Sequence, residues 1–129
     1  MAIYPELKGR IAVITGAAQG IGASTVRAFA QQHAMVALLD IDEFDAKKLA
    51  SEIKEGGTRA LAVRTDVTDP QSVIDALTRV AAEFGSIDIL INSAGGYGKL
   101  AIVNGAQVVE GNAHCTFSTE HRYAQHAQP

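Results

Sequence analysis

The sequence predicts an α/β protein built on a doubly wound parallel sheet. Three observations predict it: short apolar runs alternate strictly with amphipathic helical patterns, the first run enters a glycine-rich turn, and acidic or small residues close the later runs. The first strand is expected over 10–15, where Ile11-Ala12-Val13-Ile14 reads as a buried parallel strand. A helix over 21–32 follows, with Ile21, Thr25, Ala28 and Phe29 on one largely apolar face. Strands over 35–40, 59–64 and 87–92 then alternate with helices over 44–55 and 70–84. Gly56-Gly57 stops the second helix and Gly85 the third, while Asp69 caps the third and Pro70 begins it. Val73, Leu77, Val80 and Phe84 give that helix one apolar face, and all four read as core. Such alternation requires right-handed crossovers between parallel strands.

The turn between the first strand and first helix, Thr15-Gly16-Ala17-Ala18-Gln19-Gly20-Ile21-Gly22, carries most of the chemistry. Its glycines follow a G-x-x-x-G-x-G spacing, not G-x-G-x-x-G, so the spacing alone is a weak signal. Placed between strand and helix, it becomes a phosphate-binding turn. Gly16 permits the sharp bend, Gly20 lets backbone approach a pyrophosphate, and Gly22 lets the helix pack close to the strand. The helix N-terminus, with Ala18, Gln19 and Ile21 around it, then faces the anion.

Three further signals accompany the turn: Leu38-Leu39-Asp40 at the end of the second strand, Asp66-Val67 at the end of the third, and Asn92-Ser93-Ala94-Gly95 at the end of the fourth. With them the chain resembles the short-chain dehydrogenase/reductase family, classical type, over about residues 6 to 103. The resemblance implies a Rossmann-like sheet in the order three, two, one, four, and NAD-dependent hydride transfer between an alcohol and a carbonyl. Asp40, eighteen residues after Gly22, suits a carboxylate that accepts hydrogen bonds from the adenosine ribose. NAD is expected over NADP, because a 2′-phosphate would meet Asp40, Asp42 and Glu43, and Ile41 stands where an arginine would favour NADP. A helix-capping or solvated carboxylate is the alternative for Asp40.

By resemblance Asp66 and Val67 sit beside the adenine, Asp66 toward its amino group and Val67 through its backbone. Asp66 and Thr68 equally well shape the turn before the third helix, and both readings can hold together. Asn92, Ala94 and Gly95 resemble the family's fourth turn, where small residues leave space for the cofactor ribose and Asn92 ties neighbouring strands. Ser93 departs from the family's usual second asparagine, and its hydroxyl still bonds locally.

Domain organisation divides into a dinucleotide-binding unit over 1–103 and a tail over 104–129 that departs from the family pattern. The tail holds His114, His121, His126 and the single Cys115 with little periodicity, and is read as disordered or frameshift-derived. Zinc ligation by these residues fits no closed template, so no metal is expected. No catalytic residue is assigned. Family catalysis uses a serine and a tyrosine four positions before a lysine, whose charge lowers the phenol pKa. Tyr97 is two positions from Lys99, Tyr123 has Ala127 four positions on, Ser118 and Tyr123 have no lysine, and Tyr4 with Lys8 precedes the first strand.

The isolated chain is therefore expected to be a truncated cofactor half, inactive alone. The alternative is a non-catalytic dinucleotide-binding module or inert remnant. Family members are usually homo-oligomers through helices this sequence lacks, and its fourth strand should be an exposed sheet edge prone to association. Composition is 47% hydrophobic and 19% charged with net charge −3, in the globular range. Cations are scattered, which excludes a nucleic-acid face, and no apolar run reaches spanning length. A single cysteine and no basic, apolar leader make the cytoplasm the expected compartment.

Overall fold

A computed structural model describes residues 3–94, together with the backbone of three short strands beyond them. The elements run β1 (Ile11–Thr15), α1 (Gly20–Gln31), β2 (Met35–Asp40), α2 (Glu43–Glu55), β3 (Ala60–Arg64), α3 (Pro70–Phe84) and β4 (Ile89–Asn92). The strands β5 (Leu100–Val103), β6 (Ala106–Val109) and β7 (Cys115–Thr116) form a separate antiparallel sheet in that order. All else expected of 104–129 and its histidines lies outside the described residues, as do Gly95, Tyr97, Lys99, Ser118 and Tyr123.

The first four strands form one parallel sheet in the order β3-β2-β1-β4, as the resemblance implied. β1 lies at its centre and is buried along its whole length, which is why its sequence runs apolar instead of alternating. Side-chain parity divides the core. Ala12, Ile14, Val36, Leu38, Ala60 and Ala62 face α1 and α2, where Val26, Leu49 and Ile53 cover them. Ile11, Val13, Ala37, Leu39 and Val63 face α3 and meet Val73, Ala76, Leu77 and Val80. Phe84 is partly buried against the same cluster, so all four positions expected on this stripe are core.

The stripe expected on α1 is corrected. Its buried residues are Gly22, Ala23 and Val26, with Phe29 and Ala30 packed beside them, whereas Ile21 is 81% exposed and Ala28 is exposed. Gly22, one position on, is the buried residue that meets the preceding turn, and Ile21 beside it is left exposed. β4 also starts two residues later than expected. Asp88 holds the lead-in: its backbone N–H donates to the Ile11 carbonyl, and its Oδ2 accepts from the Ile11 N–H at 2.9 Å. β3 ends at Arg64, so Asp66 and Val67 belong to the following turn. Among the described strands β4 pairs only with β1, and Ile89, Leu90 and Ile91 are half-buried, as an edge strand would be.

Candidate functional site

The carboxyl ends of the four parallel strands bring every described site residue to one rim. The glycine turn sits over β1 and is tightly packed. A Cβ on Gly22 would stand 2.0 Å from the Gly16 carbonyl oxygen, and one on Gly16 would stand 2.6 Å from the Ala94 backbone. The start of α1 thus rests directly on the turn, with no room between them for a side chain at Gly22. Gly20 differs: its φ is +62° and nothing lies within 4 Å of where a Cβ would be, so its backbone faces open space.

α1 begins without a cap. Gln19 occupies the N-cap position in extended conformation, its side chain makes no capping bond, and no acidic residue lies in the first turn. The leading N–H groups of a helix have no intrahelical acceptors and carry the positive end of its dipole. α2 and α3 start differently. Asp42 accepts from the Asp45 N–H at 3.1 Å, and Asp69 accepts from the Gln71 N–H at 3.0 Å.

Asp40 ends β2, half-buried, and its carboxylate binds two backbone amides. Oδ2 accepts from Ala18 N–H at 2.9 Å and Oδ1 from Asp42 N–H at 2.8 Å. A carboxylate offers about four lone-pair positions, so two remain for further donors. The corner around it holds Asp42, Glu43 and Asp45, with Lys47 Nζ 3.3 Å from Glu43 Oε1. The Asp45 carboxyl titrates above its ordinary value, first because of its hydrogen bond with the Asp42 side chain and then because of that neighbour's charge. Ile41, next to Asp40, is 57% exposed.

Asp66 engages its own turn. Its Oδ1 accepts from both the hydroxyl of Thr68, at 2.6 Å, and the Thr68 N–H, at 2.9 Å. The hydroxyl bond chiefly, then the amide bond, holds its pKa below the ordinary carboxylate value. Its backbone N–H donates to Ser72 Oγ. The turn-shaping reading of Asp66 and Thr68 therefore holds, and Val67 lines a small crevice with Thr15, Leu39, Thr65, Leu90 and Asn92. In this crevice the Asn92 Oδ1 is buried and has no hydrogen-bond donor among the described residues.

Thr15 is the residue that sequence reasoning missed. It is 6% exposed, and its hydroxyl oxygen accepts from Ser93 N–H at 3.1 Å and Ala94 N–H at 3.2 Å, tying the loop after β4 to the glycine turn. The signal was a polar residue closing an otherwise apolar strand. Tyr4 and Lys8 lie at the opposite end of the sheet, where Tyr4 N–H donates to Gln32 Oε1 just past the end of α1. They are not brought to the rim.

A four-stranded parallel sheet of this order, with helices on both faces and a glycine turn at its central strand, is a Rossmann-like fold. The model of the short chain dehydrogenase family matches residues 10–126, and the chain belongs to that family. It is 51% identical over 86 residues to cis-4-hydroxycyclohexanecarboxylate dehydrogenase of Sinomonas cyclohexanicum, covering 67% of this chain and 34% of that protein. It is 41% identical over 107 residues to D-xylose 1-dehydrogenase of Caulobacter vibrioides, covering 81% and 42% respectively. The 3-ketoacyl-(acyl-carrier-protein) reductase of Brucella melitensis complexed with NADH superposes with TM-score 0.66 at 36% identity, covering 75% of this chain and 38% of the other. The chain thus spans about a third to two fifths of the length of these relatives. Among the described residues no helix is long and apolar enough to cross a membrane, and no three His, Cys, Asp or Glu side chains group as metal ligands.

Proposed function

We propose that residues 1–103 form the cofactor-binding part of an NAD-dependent oxidoreductase that interconverts an alcohol and a carbonyl. The observation that carries this reading is the open start of α1. Of the three helices that begin at this rim, only the one behind the glycine turn lacks a side-chain cap. Gly16, Ala18, Gln19, Gly20, Ile21 and Gly22 would hold the pyrophosphate, Asp40 and Ile41 the adenosine ribose, and Asp66 and Val67 the adenine. Asn92, Ala94 and Gly95 would form the turn beside the second ribose, where the small residues leave it space and Asn92 ties neighbouring strands. NAD, when bound, supplies a nicotinamide ring that takes up or releases hydride.

The two acceptor positions left on Asp40 match the two hydroxyls of a ribose. The surrounding Asp42, Glu43 and Asp45 make the corner unfavourable for a 2′-phosphate, which supports NAD over NADP. The proton-transfer groups of the family have no counterpart at the described rim, so we assign these residues to binding and not to chemistry. Two of the relatives named above carry hydroxylated compounds in their names and the third a ketoacyl group, and we take an alcohol/carbonyl pair as the substrate class. With its single cysteine the chain suits a reducing cytoplasm.

Calorimetric titration of the 129-residue chain with NAD tests the reading, with NADP and Asp40→Ala as controls. Saturable binding, weaker for NADP and altered in Asp40→Ala, is expected. No binding by a folded chain would overturn it in favour of an inert remnant. Binding of both dinucleotides with equal affinity would overturn the NAD preference alone.

A further inference from the structure

We propose that Asp40 has a second task, as the strut that holds the phosphate turn in shape before any ligand arrives; this rests on the cofactor reading above. A single carboxylate joins two turns: Oδ2 takes the Ala18 N–H, 22 positions away in sequence, and Oδ1 takes the Asp42 N–H at the start of α2. The turn needs such a tie. Gly16 and Gly20 both have φ of +62°, and glycines lose more conformational freedom on ordering than any other residue. The neighbouring backbone tie, from Ala17 N–H to the Leu39 carbonyl, is long at 3.5 Å, whereas the Asp40 bond is 2.9 Å and charge-assisted.

Selectivity and turn order are therefore coupled through one side chain. Replacing Asp40 to admit NADP removes the repelling charge and the strut at once, so alanine is a poor exchange and asparagine, which keeps an acceptor oxygen, a better one. The two roles oppose each other in sign. Removing a nearby negative charge should tighten the binding of any anion, whereas loosening the turn should weaken it. Inorganic pyrophosphate separates them, because it has no ribose for Asp40 to grip.

Amide hydrogen exchange of the ligand-free chain decides the strut directly. In Asp40→Ala the Ala18 amide should exchange about ten-fold faster or more, as loss of one charge-assisted hydrogen bond allows. Asp40→Asn should fall between it and the wild type, and Val13 and Leu38 in the central strands should keep their rates. Pyrophosphate affinity should fall in the same order. If Val13 and Leu38 lose protection in Asp40→Ala, that variant is unfolded and Asp40→Asn decides. Unchanged Ala18 exchange, or tighter pyrophosphate binding without the carboxylate, would overturn the strut. Failure of the wild type to bind NAD while Ala18 exchange still answers to Asp40 would sink the cofactor reading and leave the strut standing.

Discussion

Two helix starts on one rim behave in opposite ways. α3 is closed by its own chain: Asp69 takes the Gln71 amide and Pro70 fills the first position. α1 is left open behind a turn of glycines, with Gln19 turned to no capping purpose. A closed start is worth about 1 kcal/mol to its helix. Forgoing that stabilisation is sensible only where the free amides have another acceptor, so on the reading proposed above the open start is where the fold would meet a ligand, and the closed one is scaffold.

The contrast is broken most severely at Gly22. Gly22→Ala puts a methyl against the Gly16 carbonyl, and should cost about 3 kcal/mol or more and abolish NAD binding, read by denaturant melts and calorimetry. Thr15→Val keeps the shape but strips the acceptor from two amides, for an expected loss of about 1–3 kcal/mol in the same melts, with NAD affinity falling too. Gln19→Asp turns the open start into a closed one. The melting temperature should rise while NAD affinity drops by about ten-fold, since the new carboxylate competes for the amides and repels phosphate. Asp69→Ala is the reciprocal test: about 1 kcal/mol lost, with NAD affinity unmoved.

The smallest effect concerns pH. Because Asp66 titrates below its ordinary value of 3.8 in the folded chain, it contributes stability that is present above that value and lost as pH falls through the folded pKa. Thr68→Ala should raise the Asp66 pKa toward the ordinary value, seen in a carboxyl-carbon NMR titration. The stability difference from wild type should then be present at neutral pH and fade in acid.

What the sequence disclosed follows from the range of each interaction. Strand order was implied by the family resemblance alone, whereas the helix cap at Asp69 and the core stripe of α3 depend on local chemistry or on strict period, and these are visible along the chain. So was the position of Asp40. Its two amide bonds were not, because they depend on how closely the turns after β1 and β2 approach in space. Ile21 misled for a related reason: it was read onto the apolar face of α1, but Gly22 beside it is the residue that meets the Gly16 carbonyl, a fit that depends on the folded turn. Thr15 closes a strand in a way that looks ordinary until the loop after β4 is folded onto it.

The central place of β1 has a kinetic meaning. It joins β2 by closing one helix-length loop, but its other neighbour lies far along the chain, with Ile11 and Asp88 77 positions apart. Tripling the loop adds about 1 kcal/mol of closure entropy, which favours pairing of β1 with β2 ahead of its pairing with β4. The rim inherits the same bias: its Asp40 side depends on the short-range pairing of β1 and β2, and its Asn92 side on the long-range pairing of β1 and β4.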